Sequence, residues 1–212
     1  MGDVGDQRQG ERFRRAIVAF DFDGTLTVKD SYTTFLAWRA GPSAYAAGLV
    51  QLIPDFLAYI ARPDRGRLKV AATRVFLAGV SRNEIEADAR RFAETHARAL
   101  FRPDAIRVWR HWQAEGAQVV IVTASPDLIV APFAKALGAD LLIGTRLAFD
   151  AAGGLTGAFI GPNCRGPEKV RRLRDAFGED FELEAAYGDT GGDLEMLALA
   201  RERGFKVFWE TP

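Results

Sequence analysis

Two acidic residues follow an apolar run in the stretch Ala19-Phe20-Asp21-Phe22-Asp23-Gly24-Thr25. The run begins at Ala16 and is typical of a buried strand, so both acids are expected at the carboxyl end of that strand. Ligands of open parallel sheets bind at this end. Two close carboxylates suit a hard cation, or they divide between a nucleophile and an acid–base group. The alternative is a strand that ends in an Asp-rich turn, because Asp and Gly are common turn residues.

Further apolar runs of strand type recur along the chain, with helical patterns between them. The runs cover residues 118–122, 140–143, 183–187 and 206–208. The helical patterns cover residues 103–115, 126–137, about 167–177 and about 194–203. Strands that alternate with helices predict an α/β fold with a doubly wound parallel sheet. A β-hairpin is also expected, from residues 145–149 to 155–160 around a Gly-rich turn.

The segment from 31 to 100 interrupts this alternation. It contains no convincing strand, and Ser81 with Glu84 forms a capping box before a long amphipathic pattern. We therefore predict an inserted α-helical cap at 31–100, above a core domain made of 16–30 and 101–212. The first fifteen residues are almost free of apolar side chains, and we expect a disordered tail there.

Composition narrows the class of protein. Lys and Arg together number 28, as do Asp and Glu, so no basic excess points to a nucleic-acid partner. The single Cys164 excludes an internal disulfide and a Cys-rich zinc site, which fits a reducing compartment. No apolar stretch follows the charged start in the manner of a signal peptide. We expect a cytoplasmic protein.

One apolar stretch, residues 44–61, stands out within the predicted cap. It is interrupted by Pro54 and Asp55, and a helix of its length reaches only about 27 Å, less than a bilayer core of about 30 Å. A full membrane span is therefore not expected. A buried cap helix and a surface that touches lipid or an acyl chain both remain open.

Three more segments that follow predicted strands carry chemically suggestive residues. Thr123 precedes a helix start and would make an anion seat, or an ordinary N-cap. Lys169 lies in a first helical turn, where a cation opposes the helix dipole. This unfavourable placement suggests that Lys169 has an anionic partner; the alternative is a solvated surface lysine. Asp189 and Asp193 form a second acid pair, the latter also suited to cap a helix. At one sheet edge these groups suit phosphoryl transfer, in which a carboxylate attacks phosphorus and cations neutralise the phosphate oxygens.

This order of motifs resembles the haloacid dehalogenase (HAD) superfamily, specifically subfamily IB, the phosphoserine-phosphatase-like branch with a C1-type α-helical cap. The resemblance implies that Asp21 is a nucleophile that forms an aspartyl-phosphate and that Asp23 is the general acid and then the base. It implies that Thr123 and Lys169 hold phosphate oxygens. Asp23 also favours phosphoryl chemistry, because dehalogenating members lack this second acid. An implied Mg²⁺ would be held by the Asp21 carboxylate, the Asp23 carbonyl and two further acids, Asp189 and Asp193.

The resemblance leaves the substrate open. Phosphoserine phosphatases carry a Glu where this chain has Asp30, usually have Ser-Gly-Gly where it has Thr123-Ala124-Ser125, and have an Asn where it has Gly192. The candidate substrate-binding residues are Asp30, Ala124 and Ser125. Cationic cap residues also suggest a subsite, with solvated surface arginines as the alternative; they are Arg62, Arg65, Arg67, Lys69 and Arg74.

The chain more closely resembles the phosphatidylglycerophosphatase C family and related small bacterial phosphatases. The shared features are the apolar cap stretch, the segments 122–126 and 164–170, and an aromatic end near Trp209. A lipid phosphate is therefore the expected substrate, with peripheral contact between the cap and the inner membrane face. Phosphoserine or another small phosphomonoester is the alternative. A non-catalytic protein that binds a phosphorylated ligand is the alternative of a different class.

Overall fold

The computed structural model describes residues 15–212, apart from the side chain of Arg65. Six strands form one sheet. They are β1 (Ile17–Phe20), β2 (Gln118–Pro126), β3 (Leu141–Phe149), β4 (Leu155–Ile160), β5 (Leu183–Gly188) and β6 (Ala200–Phe205). Eight helices accompany them among the described residues. They are α1 (Ser31–Gln51), α2 (Ile53–Ala61), α3 (Arg65–Leu77), α4 (Arg82–Leu100), α5 (Pro103–Ala114), α6 (Asp127–Leu137), α7 (Pro167–Phe177) and α8 (Leu194–Ala198).

The sheet has the strand order β4-β3-β2-β1-β5-β6, and only β4 runs antiparallel to its neighbour. The predicted α/β fold with a mainly parallel sheet is thus confirmed. The strand β1 lies between β2 and β5, and Phe20 is in register with Ile121 and Tyr187. This register places the residues that follow the three strands at one edge of the sheet.

The last part of the chain differs from the sequence prediction. The helix predicted to reach residue 203 ends at Ala198, and the predicted strand at 206–208 is wrong because β6 ends at Phe205. The edge strand β6 is rich in charge, and Arg201 pairs with Glu182 and Glu184 beside β5. An edge strand needs no continuous apolar run, so its sequence lacked the pattern used to find strands.

The start of the described chain also departs from the prediction. Most of the expected tail, residues 1–14, lies outside the described residues. Arg15 was placed in that tail, but its Nε donates to the Gly116 carbonyl at 2.8 Å and its Nη1 reaches Asp140 at 3.1 Å. Arg15 therefore joins the start of β1 to the turns before β2 and β3.

The helices α1 to α4, which we call the cap, pack directly against the rest of the molecule. Phe92 of α4 contacts Phe35 of α1 and Phe133 of α6, with ring centroids 5.5 and 5.8 Å apart. Phe133 in turn lies 5.6 Å from Phe22, next to the acidic pair. One hydrophobic cluster therefore runs from the cap into the core. The division at residues 31 and 100 stays an interpretation.

The apolar cap stretch bends and lies largely on the surface. Within α1, Gly41 has φ 72° and precedes Pro42, and both break regular helical geometry. No residue of α2 is buried, and four apolar side chains expose half or more of their area: Ile53, Phe56, Leu57 and Ile60. The interpretation of this stretch as a buried helix is therefore wrong for α2. Within residues 15–212, no single helix is long and apolar enough to cross a membrane, although α1 and α2, bent by 49°, meet that test as a pair.

Candidate active site

The site is built around the ammonium group of Lys169, in the first turn of α7. Its Nζ donates to Asp21 Oδ1 at 2.6 Å, to Asp193 Oδ1 at 2.7 Å and to the Val122 carbonyl at 2.6 Å. The side chain is only 1% exposed. Burial alone would lower the pKa of Lys169, but the two carboxylates raise it above its usual value. Lys169 is thus a buried cation with all three donors used, and the alternative of a solvated surface lysine is wrong.

Asp21 directly follows β1, and its backbone N–H donates to the Tyr187 carbonyl at 2.9 Å. Burial raises the pKa of Asp21 to about 7, although Lys169 opposes the rise. Asp193 is held more firmly in its ionised form. Burial pushes its pKa upward, but Lys169 and the hydrogen bonds from Thr190 bring it below its usual value.

Asp23 lies in a different environment from Asp21. Its Oδ1 accepts from the Ser31 backbone N–H at 2.7 Å, at the start of α1, and its Oδ2 accepts from the Ser125 hydroxyl. Burial raises the pKa of Asp23, Asp30 adds to the rise and Lys69 opposes it. A raised pKa favours a carboxyl group that can give up a proton near neutral pH.

A group of acids beside Lys169 has the chemistry of a metal site. Asp21, Asp189 and Asp193 each offer a carboxylate oxygen, and these oxygens lie within 4.8 Å of one another. Among the described residues, Thr25 alone donates a side-chain hydrogen bond to Asp189, at 3.4 Å. Two buried carboxylates and one half-buried carboxylate thus lie beside a single ammonium, and hard oxygen donors of this kind fit Mg²⁺. The carboxylate of Asp23 does not belong to this group. The family resemblance implies the backbone carbonyl of Asp23, rather than its carboxylate, as a metal ligand.

Gly24 allows Asp189 to approach the first acidic pair. It has φ 86°, and a Cβ there would lie 2.3 Å from Asp189 Oδ2. A side chain at this position would strain the backbone and displace the carboxylate. The close approach of the Asp189 carboxylate therefore explains why position 24 is a glycine.

A cavity of about 130 Å³ opens above these groups. Six of the predicted site residues line it: Asp21, Asp23, Asp30, Ala124, Lys169 and Asp193. The other three do not line the cavity but contact residues near it. Ser125 contacts Asp23, Asp189 donates a backbone hydrogen bond to Asp193, and Thr123 accepts from the Ser125 N–H at 3.0 Å. The predicted residues therefore converge, although the Thr123 hydroxyl does not reach the cavity.

The carboxylate of Asp30 has a structural role of its own. It accepts from the Thr33 backbone N–H at 2.7 Å and from the Thr33 hydroxyl at 2.8 Å, which caps α1. Asp30 therefore lines the cavity with a carboxylate that is already hydrogen-bonded.

Four more residues line the cavity, and only Lys69 among them was named from the sequence, as one of the cationic cap residues that suggest a subsite. Lys69 reaches down from α3, and its Nζ donates to the Ala124 carbonyl at 3.1 Å and lies 5.5 Å from the Tyr32 ring centre. Asn163, Arg165 and Thr190 complete the wall. The sequence showed a group of cap cations, but helical spacing alone could not show that Lys69 points inward.

The chain is similar to several known proteins. Over 196 residues the chain is 59% identical to Protein CicA of Caulobacter vibrioides, covering 92% of this chain and 88% of that protein. It is 30% identical to a phosphoserine phosphatase of Halobacterium salinarum, covering 87% of this chain and 82% of that protein. A crystal structure of a protein of unknown function from Bordetella pertussis matches with a TM-score of 0.74 and 26% identity, covering 89% and 88% of the two chains.

The family comparison covers most of the chain. Residues 18–198 match the haloacid dehalogenase-like hydrolase family, a range that contains all nine predicted site residues and the whole cap. The chain therefore belongs to the haloacid dehalogenase-like hydrolases.

Proposed function

We propose that the protein is a Mg²⁺-dependent phosphatase that hydrolyses phosphomonoesters through an aspartyl-phosphate on Asp21. The observation that carries this proposal is the buried ammonium of Lys169, held between Asp21 and Asp193 under a polar cavity. The phosphoserine phosphatase named among the relatives supports the same reaction class.

In the first step, an Asp21 oxygen attacks phosphorus and the bond from phosphorus to the leaving oxygen breaks. Asp23 gives its proton to that oxygen, which its raised pKa favours. Lys169 holds Asp21 in position and contributes positive charge beside the phosphate. When bound by Asp21, Asp189 and Asp193, Mg²⁺ would supply further neutralisation of the phosphate oxygens.

In the second step, water hydrolyses the aspartyl-phosphate. Asp23, now ionised, takes a proton from the water, whose oxygen attacks phosphorus. The bond between phosphorus and the Asp21 carboxylate breaks, and inorganic phosphate is released. The two acids thus play different parts because their partners differ: Asp21 faces Lys169, whereas Asp23 faces Ser31 and Ser125.

The test is phosphate release from p-nitrophenyl phosphate as Mg²⁺ is titrated. Asp21→Asn is expected to lower kcat by about 10⁴-fold or more while the protein stays folded. Asp55→Asn, an acid on the cap, is the control and should keep wild-type turnover. Turnover by Asp21→Asn at the wild-type rate would refute the mechanism. A wild-type protein inactive at every Mg²⁺ concentration would favour the non-catalytic, phospho-ligand-binding alternative.

For the substrate, we propose a lipid phosphate such as phosphatidylglycerophosphate. The exposed apolar side chains of α2 support this choice, because Tyr59 of the same helix lines a groove that joins the cavity. Exposed apolar surface of this kind suits peripheral contact with a membrane. Phosphoserine is the second candidate, supported by the phosphoserine phosphatase among the relatives.

Vesicle-borne and soluble substrates separate the two candidates. The double variant Phe56→Glu with Ile60→Glu should lose activity on vesicle-borne phosphatidylglycerophosphate and keep activity on p-nitrophenyl phosphate. Ile160→Glu with Val207→Glu is the control, because both residues are exposed apolar side chains outside the cap. Equal loss on both substrates would contradict a membrane role for α2.

A further inference from the structure

A groove of about 840 Å³ lies beside the catalytic cavity. One wall is formed by the end of α2 and the turn into α3, and the other by the loops before α7 and α8. Asn163 and Arg165 line both the groove and the cavity. A substrate whose phosphate lies above Asp21 can therefore extend its leaving group into the groove.

The groove contains arginines without acidic partners. Among the residues that the structure describes, no carboxylate oxygen lies within 4.0 Å of the guanidinium nitrogens of Arg62, Arg67 or Arg165. The acids present are Asp64 and Glu195, and the Asp64 carboxylate already accepts the Arg67 backbone N–H at 3.1 Å. The groove is thus net positive and offers donors that the fold does not use.

Arg165 is held in place between the groove and the cavity. Its Nη1 donates to the Thr190 hydroxyl at 3.2 Å, and that hydroxyl also donates to Asp193. A Cβ on Gly192 would lie 2.5 Å from Arg165 Cζ. The absence of a side chain at position 192, which differs from the Asn of the phosphoserine phosphatases, therefore makes room for the guanidinium.

We propose that Arg165, with Arg67 and Arg62, binds a second anionic group on the leaving-group half of the substrate. The group is a phosphodiester or a carboxylate, because a planar guanidinium matches two oxygens of either one. This inference rests on the proposed phosphatase function. It goes further in requiring two negative groups, one above Asp21 and one in the groove.

Two matched substrate pairs test the inference. Short-chain phosphatidylglycerophosphate carries a phosphodiester that short-chain phosphatidate lacks, and phosphoserine carries a carboxylate that phosphoethanolamine lacks. In the pair whose second anionic group matches that of the natural substrate, the wild-type protein should prefer the doubly anionic member. Arg165→Gln should lower that preference, as a ratio of kcat/KM values, by about tenfold or more.

A second variant separates position from charge. Gly192→Ala keeps every charge but displaces the Arg165 guanidinium, so it should reduce the same ratio. Arg98→Gln, which removes an exposed charge from α4, is the control and should leave the ratio unchanged. Thermal melting of each variant checks that it is folded.

The outcomes distinguish the inference from the function it rests on. A wild-type protein that hydrolyses none of the four substrates would overturn both. Hydrolysis with no preference in either pair, or with a preference that Arg165→Gln leaves intact, would overturn the inference alone. Loss of preference in the lipid pair would identify a phosphodiester, and loss in the serine pair would identify a carboxylate.

Discussion

On the core side of the cavity, the Lys169 ammonium is buried and all three of its donors have partners. On the cap side, Arg62 and Arg67 are exposed, and neither has an acidic partner among residues 15–212. Apolar side chains differ in the same way within the cap: Phe92 of α4, which packs against the core, is fully buried, whereas Phe56 of α2 is 52% exposed. A buried charge destabilises the folded protein unless it has partners, whereas an exposed charge is solvated by water. The buried charge on the core side therefore contributes to the stability of the fold, whereas the exposed arginines of the cap do not depend on partners.

The largest expected effect on stability comes from Lys169. Lys169→Gln would leave the carboxylates of Asp21 and Asp193 buried without their cation, at a cost of about 3–5 kcal/mol in the free energy of unfolding. Urea denaturation of metal-free protein measures this cost. Lys135→Gln, an exposed lysine on α6, should change it by less than about 0.5 kcal/mol.

The pH dependence of that cost follows from the same pair. Lys169 lowers the pKa of Asp21, so its removal raises that pKa further above the unfolded value. The cost is therefore expected to be greater at about pH 8, where the carboxylates are ionised, than at about pH 5, where the Asp21 carboxyl is protonated. A cost that grows as the pH falls would contradict this account of the buried cation.

Two matched substitutions test the contrast between buried and exposed apolar side chains. Phe92→Ala removes a ring packed against Phe35 and Phe133 and should cost about 3–5 kcal/mol. Phe56→Ala should cost less than about 1 kcal/mol, because half of the ring is already in contact with water. Urea denaturation measures both values. Similar costs for the two variants would mean that α2 is covered in solution, and dependence on protein concentration would then identify a second copy of the chain.

The same contrast explains what the sequence could predict. The acids after β1 and β5 follow apolar runs directly, and Ser81 with Glu84 forms the predicted capping box, so local patterns were enough to find them. The direction of Lys69 and the position of Arg165 depend on how the cap lies over the core, which no local pattern records. The exposure of α2 was open for a similar reason, since an apolar helix has the same composition whether it is buried or not.

A smaller effect is expected from the residue next to Lys169 in α7. The Glu168 carboxylate accepts from Arg171 and Arg172, both at 2.7 Å, and these bonds lower its pKa to about 2. A lowered pKa stabilises the folded protein above the unfolded pKa of about 4.3, and this stabilisation is lost as the pH falls toward 2. Glu168→Gln should therefore cost about 1 kcal/mol at neutral pH and progressively less below about pH 4.

Urea denaturation across this pH range, beside Glu179→Gln, measures that loss. Glu179 also pairs with an arginine of α7, but its side chain is 81% exposed, so its replacement should change stability less at every pH. The side chains of Glu168 and Arg172 are 10% and 11% exposed, but Arg171 is 56% exposed, so solvent screens the pair with Arg171 more than the fully buried pairs of Lys169. If Glu168→Gln and Lys169→Gln lowered the free energy of unfolding by equal amounts, burial would not explain the difference between these two neighbouring charges of α7. That result would contradict the contrast between buried and exposed charges.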